Sequence, residues 1–186
     1  MNSDGLVAAI TLLLGLPLYG QQVPVSSLTV CELMNDLTAH RDKIVAVRGE
    51  YVFSREVTCL AGEPWCMTKF VTNGFVWPVA IDIKGPSYYL RETGKSAFPV
   101  TEGDFKTTED LVQMSRSLRK GEKLEVTLVG LLRARKEYRV GRNADGALTS
   151  GSGFGHLNTF PAQLIVKRVE SVRKMAVTGP RHAEEH

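Results

Sequence analysis

The sequence predicts a mainly β domain with two short helices. Three observations predict it: several runs of residues alternate between apolar and polar, two of these runs carry a central glycine, and two separate stretches show helical spacing. The chain has 186 residues, of which 43% are hydrophobic and 23% charged. These values are typical of one globular domain and exclude wholesale disorder, a collagen-like fibre and a polytopic membrane protein. The formal net charge of +3 requires no polyanionic partner.

The N-terminus predicts a secretory signal peptide over residues 1–20. Residues 6–18, LVAAITLLLGLPL, are uncharged, and as a helix they would span about 20 Å against a hydrocarbon core of about 30 Å. The preceding MNSDG lacks the usual positive charge, so a buried N-terminal helix of a cytoplasmic protein is the alternative. We expect one domain over 21–175, a disordered tail at 176–186, no stable membrane span after processing, and a periplasmic or secreted location.

Three cysteines fit the exported interpretation. Cys59 and Cys66 flank LAGEPW, whose glycine and proline can turn the chain back, so these two are the predicted disulfide. Closing that short loop would contribute about 2.5 kcal/mol. Pairing of Cys31 with either one stays open, as do three reduced thiols. The chain has no C-x-x-C motif and its histidines are scattered, so we expect no metal site and no cofactor.

A helix and a long strand open the predicted domain. Thr29 and Glu32 fit a capping box, which predicts a helix from about 30 to 39. Residues 43–53, KIVAVRGEYVF, alternate between two faces and predict a strand. Gly49 near the middle of this strand indicates a bulge or sharp bend, which lets one strand serve two sides of a barrel.

Shorter strands follow. Val57–Leu60 and Met67–Val71 flank the turn between the second and third cysteines, and a further strand runs from about Val79 to Ile83. Residues 84–106 show no clear period and predict a loop. A loop of this length is uncommon unless it binds something or packs locally.

A second helix and two strands complete the predicted domain. Thr107 or Thr108 is the expected N-cap of the helix. Residues 123–132, KLEVTLVGLL, predict a strong strand with a glycine within it, and the last strand lies within 161–175. Residues 149–158, TSGSGFGHLN, form a glycine-rich loop between these two strands.

This order of elements predicts an OB-fold-like barrel. With the two short runs around the cysteine turn counted as one strand, the order is a helix, three strands, a helix and two strands. A helix between the third and fourth of five strands is the arrangement of the OB-fold, a partly open five-stranded Greek-key barrel. An open antiparallel α+β sheet with two covering helices is the alternative. Four segments also resemble small exported bacterial OB-like proteins of unknown function: VCELM at 30–34, KIVAVRGEY at 43–51, GFVWP at 74–78 and GFGHLNTFPAQLIVK at 153–167. The resemblance implies export and the fold, but no activity.

The candidate ligand-binding residues are aromatic, basic or histidine side chains near the surfaces that OB-folds use. The second and third strands and the loop between the last two strands commonly hold ligands in that fold. Exposed aromatic rings there would stack on sugars or bases, and a basic run would track phosphates. A core position for the tryptophan, a solvated basic hairpin and a backbone-bonded histidine are the alternatives. The candidates are Trp77, Tyr88, Tyr89, Arg133, Arg135, Tyr138 and His156.

These observations favour an exported, non-catalytic binding or interaction module for an unidentified glycan, peptide or envelope protein. A cytoplasmic single-stranded nucleic-acid binder is the alternative, supported by fold analogy and by the basic run. A hydrolase ranks third, because the chain lacks a G-x-S-x-G elbow and an H-E-x-x-H motif. The GSGFG run at 151–155 precedes a proline and a strand rather than a helix, so it does not indicate a nucleotide fingerprint.

Overall fold

Five strands close into a barrel with the strand order of an OB-fold. The computed structural model describes residues 26–98 and 102–176. The predicted leader at 1–20 and the tail beyond Ala176 lie outside this range. Within the described residues, no helix is long and apolar enough to cross a membrane. The strands are β1 (Leu28–Thr29), β2 (Ile44–Phe53), β3 (Thr58–Ala61), β4 (Val71–Thr72), β5 (Phe75–Val76), β6 (Ala80–Lys84), β7 (Glu122–Ala134), β8 (Val140–Arg142), β9 (Leu148–Gly151) and β10 (Ala162–Ala176). The helices are α1 (Val30–Asn35), α2 (Leu37–His40), α3 (Pro86–Thr93) and α4 (Glu102–Arg116), with a 3-10 turn at His156–Asn158.

The barrel runs in the order β2, β3, β6, β10, β7 and returns to β2. Among these five barrel strands as the structure describes them, β6 and β10 pair in parallel and the other neighbours pair antiparallel. The short β1 also pairs in parallel with β2, outside the barrel. The α4 helix lies between the third and fourth barrel strands, β6 and β7, along the chain. The predicted OB-fold-like barrel is therefore confirmed.

The barrel interior is filled by the inward residues of the alternating strands. Val45 and Val47 of β2 meet Leu60 of β3, Ile81 of β6 and Leu164 of β10 in one buried cluster. The α1 helix adds Val30, Leu33 and Met34 to this cluster, and α4 adds Leu111. The capping box of Thr29 and Glu32 starts α1 as predicted.

The central glycines of β2 and β7 sit at close backbone approaches. A Cβ atom on Gly49 would lie 2.7 Å from the carbonyl oxygen of Ala61, and one on Gly130 would overlap the backbone of Ile165. Both strands thus need glycine to let a neighbouring strand come close.

Residues 84–106 are largely helical rather than a loop, which corrects the prediction. The α3 helix begins with Pro86 at its first turn and ends at Gly94, whose left-handed backbone (φ 66°) closes the last turn. The α4 helix begins at Glu102, five residues before the earlier predicted N-cap, Thr107. The insertion between β6 and β7 is therefore two helices that pack on the barrel.

The predicted Cys59–Cys66 disulfide is wrong, and Cys66 pairs with Cys31 instead. The Cα atoms of Cys31 and Cys66 are 5.8 Å apart, within the usual disulfide range. Cys59 is fixed within β3 by pairing with Val52 on one side and Asp82 on the other. Its free thiol is buried, whereas the segment after β3 carries Cys66 across to α1. The disulfide therefore joins two elements 35 residues apart.

Candidate ligand-binding site

Trp77 is a core residue of the region beside the glycine-rich loop. Its side chain is 1% exposed, and its Nε1–H donates a 2.7 Å hydrogen bond to the Thr72 hydroxyl. Its ring packs edge-on against Phe75 and Tyr138, with centroid distances of 4.8 and 5.1 Å. The expectation of an exposed stacking ring is therefore corrected, and the core position is the one observed.

Tyr138 and Arg135 hold the glycine-rich loop in place. The Tyr138 hydroxyl donates to the carbonyl oxygen of Pro161 at 2.6 Å and accepts from the backbone N–H of Arg135 at 3.3 Å. The Arg135 guanidinium donates to the carbonyl oxygens of Ser152 and Gly153 at 3.1 and 3.0 Å. Both side chains therefore make their hydrogen bonds within the chain.

The usual OB-fold ligand face is filled by this chain's own loop. Cys59 of β3 and Ala80 of β6 form a second buried cluster with Phe160. Asp82 of β6 is 1% exposed, and the backbone of Gly155 comes so close that a Cβ there would lie 2.8 Å from the Asp82 Oδ1 atom. A ligand on the outer face of β3 and β6 would have to displace this loop.

A chain of polar side chains runs along this covered face. The Asp82 Oδ2 atom accepts a 2.8 Å hydrogen bond from the Gln163 amide, and the Gln163 Oε1 atom accepts one of 2.7 Å from Arg133. Arg133 also pairs with Glu92 of α3 at 2.5 Å. At the other end, the Lys84 Nζ atom lies 3.3 Å from the Asp82 Oδ1 atom. Burial raises the pKa of Asp82, and the contacts with Gln163 and Lys84 partly offset that rise.

Tyr88 and Tyr89 lie on α3, beside the cations of this polar chain. Lys84 lies over the Tyr88 ring at 5.3 Å, and Arg133 lies over the Tyr89 ring at 5.0 Å. These cation–π contacts dock α3 on the barrel. Both rings are half-buried, so neither is a fully exposed ring on which a sugar or base could stack.

His156 lies on the exposed 3-10 turn, apart from the other predicted residues. Its Nε2 atom is 4.0 Å from a carboxylate oxygen of Glu56, at the limit of an ion pair. The contact joins the glycine-rich loop to the loop between β2 and β3. A binding role for His156 stays a prediction.

A cavity of about 500 Å³ with mainly polar lining residues opens beside Tyr138. A second cavity lies between α4 and the strands β2, β3 and β6. It has a volume of about 440 Å³, within the range of roughly 300–1,000 Å³ of small-molecule sites. It combines apolar contact from Ile83, Val112 and the Tyr51 ring with five polar or charged side chains. Its lining residues are Tyr51, Thr58, Ile83, Lys84, Gly85, Glu109, Val112, Gln113 and Arg116. We call it the α4 cavity; the seven predicted residues are not among its lining.

Tyr51 is the residue that makes the α4 cavity unusual. Its side chain is 3% exposed, and its hydroxyl has no hydrogen-bond partner among the described residues. An unsatisfied buried hydroxyl costs about 1–3 kcal/mol, so native proteins rarely leave one without a reason. Burial raises the pKa of Tyr51 to about 12. The hydroxyl therefore stays protonated at neutral pH.

Arg116 and Glu109 of α4 are the charged residues of the helix that line the α4 cavity. Lys84 of β6 also borders the cavity, but its Nζ atom is paired with the Asp82 Oδ1 atom at 3.3 Å on the outer face of the strand. The Arg116 guanidinium lies 5.2 Å from the centre of the Phe53 ring. Glu109 is the acidic residue among the lining side chains. Beyond the cavity, no three His, Cys, Asp or Glu side chains in the described ranges come together in a way that could hold a metal ion.

One residue of the α4 cavity, Tyr51, could be noticed in the sequence. Tyr51 falls on the inward face of the strand predicted over 43–53, where its hydroxyl is the one polar group among apolar side chains. Its environment depends on where α4 docks, which the sequence pattern does not give.

Comparisons with known proteins identify no family or relative for this chain. The chain matches no protein-family model, no curated protein and no solved structure.

Proposed function

We propose that the protein is an exported, non-catalytic binding module that holds a small ligand in the α4 cavity. The observation that carries this proposal is the buried Tyr51 hydroxyl without a protein partner, on the wall of a cavity of about 440 Å³. The hydroxyl oxygen itself is shielded from solvent, so a ligand atom would reach it only after a small shift of the surrounding side chains. A hydrogen bond accepted from the hydroxyl would then offset the cost of burying it.

The disulfide and the N-terminal sequence support the exported part of the proposal. Disulfides persist in oxidising compartments and are rare in the cytosol. The Cys31–Cys66 bond joins α1 to the segment after β3, and residues 1–20 have the short apolar run of a signal peptide.

The state of the free cysteine argues against Cys59 as a nucleophile. Burial raises the pKa of Cys59 to about 11, with Asp82 adding to the rise. The thiol is therefore protonated at neutral pH, whereas nucleophilic cysteines act as thiolates. Cys59 also lies outside the α4 cavity, packed with Ala80 and Phe160.

Single-stranded nucleic acid is the less supported partner. Base stacking needs accessible aromatic rings beside cations. Trp77 is buried, and Tyr138 and Arg135 are occupied by the glycine-rich loop. The surface that first suggested this partner is therefore largely used for packing.

Ligand binding is tested by amide NMR spectra of the mature chain during titration with a library of small soluble compounds. We expect hits that shift the amides of Tyr51, Ile83 and Val112. Gln113→Trp fills the cavity from the exposed face of α4 and should weaken these hits by about tenfold or more. The matched control is Asp110→Trp, because Asp110 faces a groove against β10 on another side of the same helix. A library that shifts none of these amides, or hits that survive Gln113→Trp, would overturn the proposal.

Export is tested by intact mass. The full chain is expressed in a bacterium and weighed before and after reduction and alkylation. We expect a chain without residues 1–20, with one disulfide and one alkylatable thiol, that of Cys59, after denaturation. An uncleaved chain with three alkylatable thiols would contradict export and return single-stranded nucleic acid to first place among the partners.

A further inference from the structure

Exposed apolar side chains are concentrated in one short segment of the chain, between β3 and β6. Of the eight large hydrophobic side chains that are exposed in the described residues, four fall within 65–76. They are Trp65, Met67, Val71 and Val76, with exposed fractions of 68, 85, 48 and 59%. Single exposed apolar residues are normal, whereas a group of them marks an interaction surface.

The residues between these side chains anchor the segment to the rest of the molecule. From Trp65 to Thr72, exposed and partly buried residues alternate one by one, as in a strand with one covered face. Each partly buried residue contacts another element: Cys66 through its disulfide with Cys31, Thr68 through a 2.9 Å hydrogen bond to Asn35, Phe70 through the Tyr138 ring at 5.2 Å, and Thr72 through the 2.7 Å hydrogen bond from Trp77. The backbone that carries the exposed side chains is therefore held in place.

The solvent-facing side of the segment carries a row of four side chains, which we call the 65–71 stripe: Trp65, Met67, Lys69 and Val71. Val76 widens the stripe, because it pairs with Val71 across the β4–β5 hairpin. Tryptophan and methionine are enriched in protein interfaces, and an ordered surface loses less entropy on binding than a mobile one. The stripe shares no residue with the lining of the α4 cavity.

We infer that two copies of this chain pair through the 65–71 stripe, face to face and with the two segments running in opposite directions. The exposed area supports a second copy as the partner. The four apolar side chains expose roughly 500 Å². Two facing copies would therefore cover on the order of 1,000 Å² from these side chains alone, about the area at which specific interfaces begin. This area predicts a weak dimer, with a Kd of about 10–100 µM.

The order of charges along the segment favours a second copy over an unrelated partner. Glu63 precedes Trp65 and Met67, and Lys69 follows them. Neither charged side chain has an ion-pair partner within the described ranges. The N–H of Cys66 donates to the carbonyl oxygen of Glu63 at 2.9 Å, and this tight turn keeps the half-buried acid at the Trp65 end of the stripe.

An antiparallel pair of stripes is complementary in both charge and shape. Glu63 of each copy lies at the end that meets Lys69 of the other copy, and the two apolar centres meet between these charges. A two-fold axis repeats each contact, so one favourable ion pair becomes two. In a parallel pair, Lys69 would instead meet Lys69 of the other copy.

Sedimentation velocity of the disulfide-bonded mature chain measures the pairing over a range from about 1 to about 500 µM, which brackets the expected Kd. We expect monomer at the lowest concentration and mainly dimer at the highest. Trp65→Ser and Met67→Ser should each raise the Kd about tenfold or more. Leu157→Ser is the matched control, because Leu157 is 71% exposed on the glycine-rich loop and its replacement should leave the Kd unchanged.

Charge reversal tests the antiparallel order. Lys69→Glu places two acids opposite each other at both ends of the pair and should raise the Kd about tenfold. The double variant Glu63→Lys, Lys69→Glu restores opposite charges and should return the Kd to within about threefold of the wild-type value. If circular dichroism shows that the double variant does not fold, Trp65→Ser and Lys69→Glu decide against Leu157→Ser.

Tryptophan fluorescence locates the contact. The chain has two tryptophans, and Trp77 is already buried in the monomer. Quenching by acrylamide should therefore decrease as the wild-type protein concentration rises, because pairing covers Trp65. In Trp65→Ser the quenching should not change with concentration.

The outcomes separate this inference from the proposed ligand site. A chain that stays monomeric at the highest concentration would overturn pairing, and so would a dimer that Trp65→Ser leaves intact. A folded double variant that pairs more weakly than Lys69→Glu alone would overturn the antiparallel arrangement. Because no ligand enters these measurements, their failure leaves the α4 cavity to be decided by the library titration.

Discussion

Two tyrosines lie in two different regions of this barrel, and their hydroxyls differ in whether they have a hydrogen-bond partner. Tyr138 belongs to the loop-side region, which comprises Trp77, Arg135 and the loop 151–160, and its hydroxyl both donates and accepts a hydrogen bond. Tyr51 belongs to the helix-side region around the α4 cavity, and its more deeply buried hydroxyl has no partner among the described residues.

This difference indicates that the loop-side region serves packing, whereas the helix-side region has room for a ligand. In the loop-side region the chain closes the surface that OB-folds commonly use, and each of the predicted stacking and phosphate-binding residues there has a partner within the chain. In the helix-side region, Arg116, Glu109 and Tyr51 line a volume that the chain does not fill. The fold therefore places its proposed ligand site at an unusual position for its class.

Replacing the tryptophan at the centre of the loop-side region should have the largest effect. Trp77→Ala removes a fully buried aromatic side chain and should lower the free energy of unfolding by about 3–5 kcal/mol. Urea denaturation measures this. The matched control is Trp65→Ala, because Trp65 is 68% exposed and its loss should stay within about 0.5 kcal/mol. Similar small losses in both variants would contradict a packed loop-side region.

Removing the disulfide should rank next. The bond closes a sequence separation of 35 residues, so the double variant Cys31→Ser, Cys66→Ser should lose roughly 3–4 kcal/mol of unfolding free energy. Reduced wild-type protein should show the same loss in urea. Cys59→Ala keeps the bond and serves as the control. If reduction no longer lowers the stability of Cys59→Ala, Cys59 belongs to the bond and the pairing is not Cys31–Cys66.

The sequence was sufficient for the barrel because its signals are local. The alternation in β2 and β7, the capping box at Thr29 and Glu32, and the helix before β7 each depend on neighbouring residues. The helix α3 also had a local signal, Pro86 at its start and Gly94 at its end, but residues 84–106 as a whole lack an apolar period.

The candidate site was largely beyond sequence reasoning because it depends on long-range docking. The partner of Cys66 is set by where the segment after β3 crosses α1, and the fate of Trp77 is set by the packing of Phe75 and Tyr138 around it. The α4 cavity brings together Tyr51 and Arg116, which are distant in the chain. Neither spacing nor composition indicates that these two residues share a cavity.

The two tyrosines should respond differently to loss of the hydroxyl. Tyr138→Phe leaves the Pro161 carbonyl without its donor and should cost about 1–2 kcal/mol of unfolding free energy. Tyr51→Phe removes a hydroxyl that has no protein partner, so the free energy of unfolding should stay the same or rise slightly. Denaturation of both variants in urea at neutral pH checks this. A loss in Tyr51→Phe equal to that in Tyr138→Phe would show that the Tyr51 hydroxyl is satisfied in solution, and the contrast between the two regions would fail.

The smallest expected effect concerns Asp82, which joins the two regions through Gln163 on one side and Lys84 on the other. Burial raises its pKa in the folded state above the ordinary value of 3.8, so folding favours the protonated carboxyl. The stability that this proton contributes is complete below pH 3.8 and is lost as the pH rises through the folded-state pKa. The side chain in Asp82→Asn is neutral at every pH, so this variant does not lose that stability. Its unfolding free energy should therefore rise relative to that of the wild type as the pH rises from about 3 to about 8. Lys84→Met removes the nearby cation, which lowers the pKa of Asp82 in the wild type. In this variant the pH-dependent loss of unfolding free energy should therefore occur at higher pH than in the wild type. If the unfolding free energy of Asp82→Asn falls relative to that of the wild type over this pH range instead, the attraction between Asp82 and Lys84 outweighs the cost of burying the carboxylate.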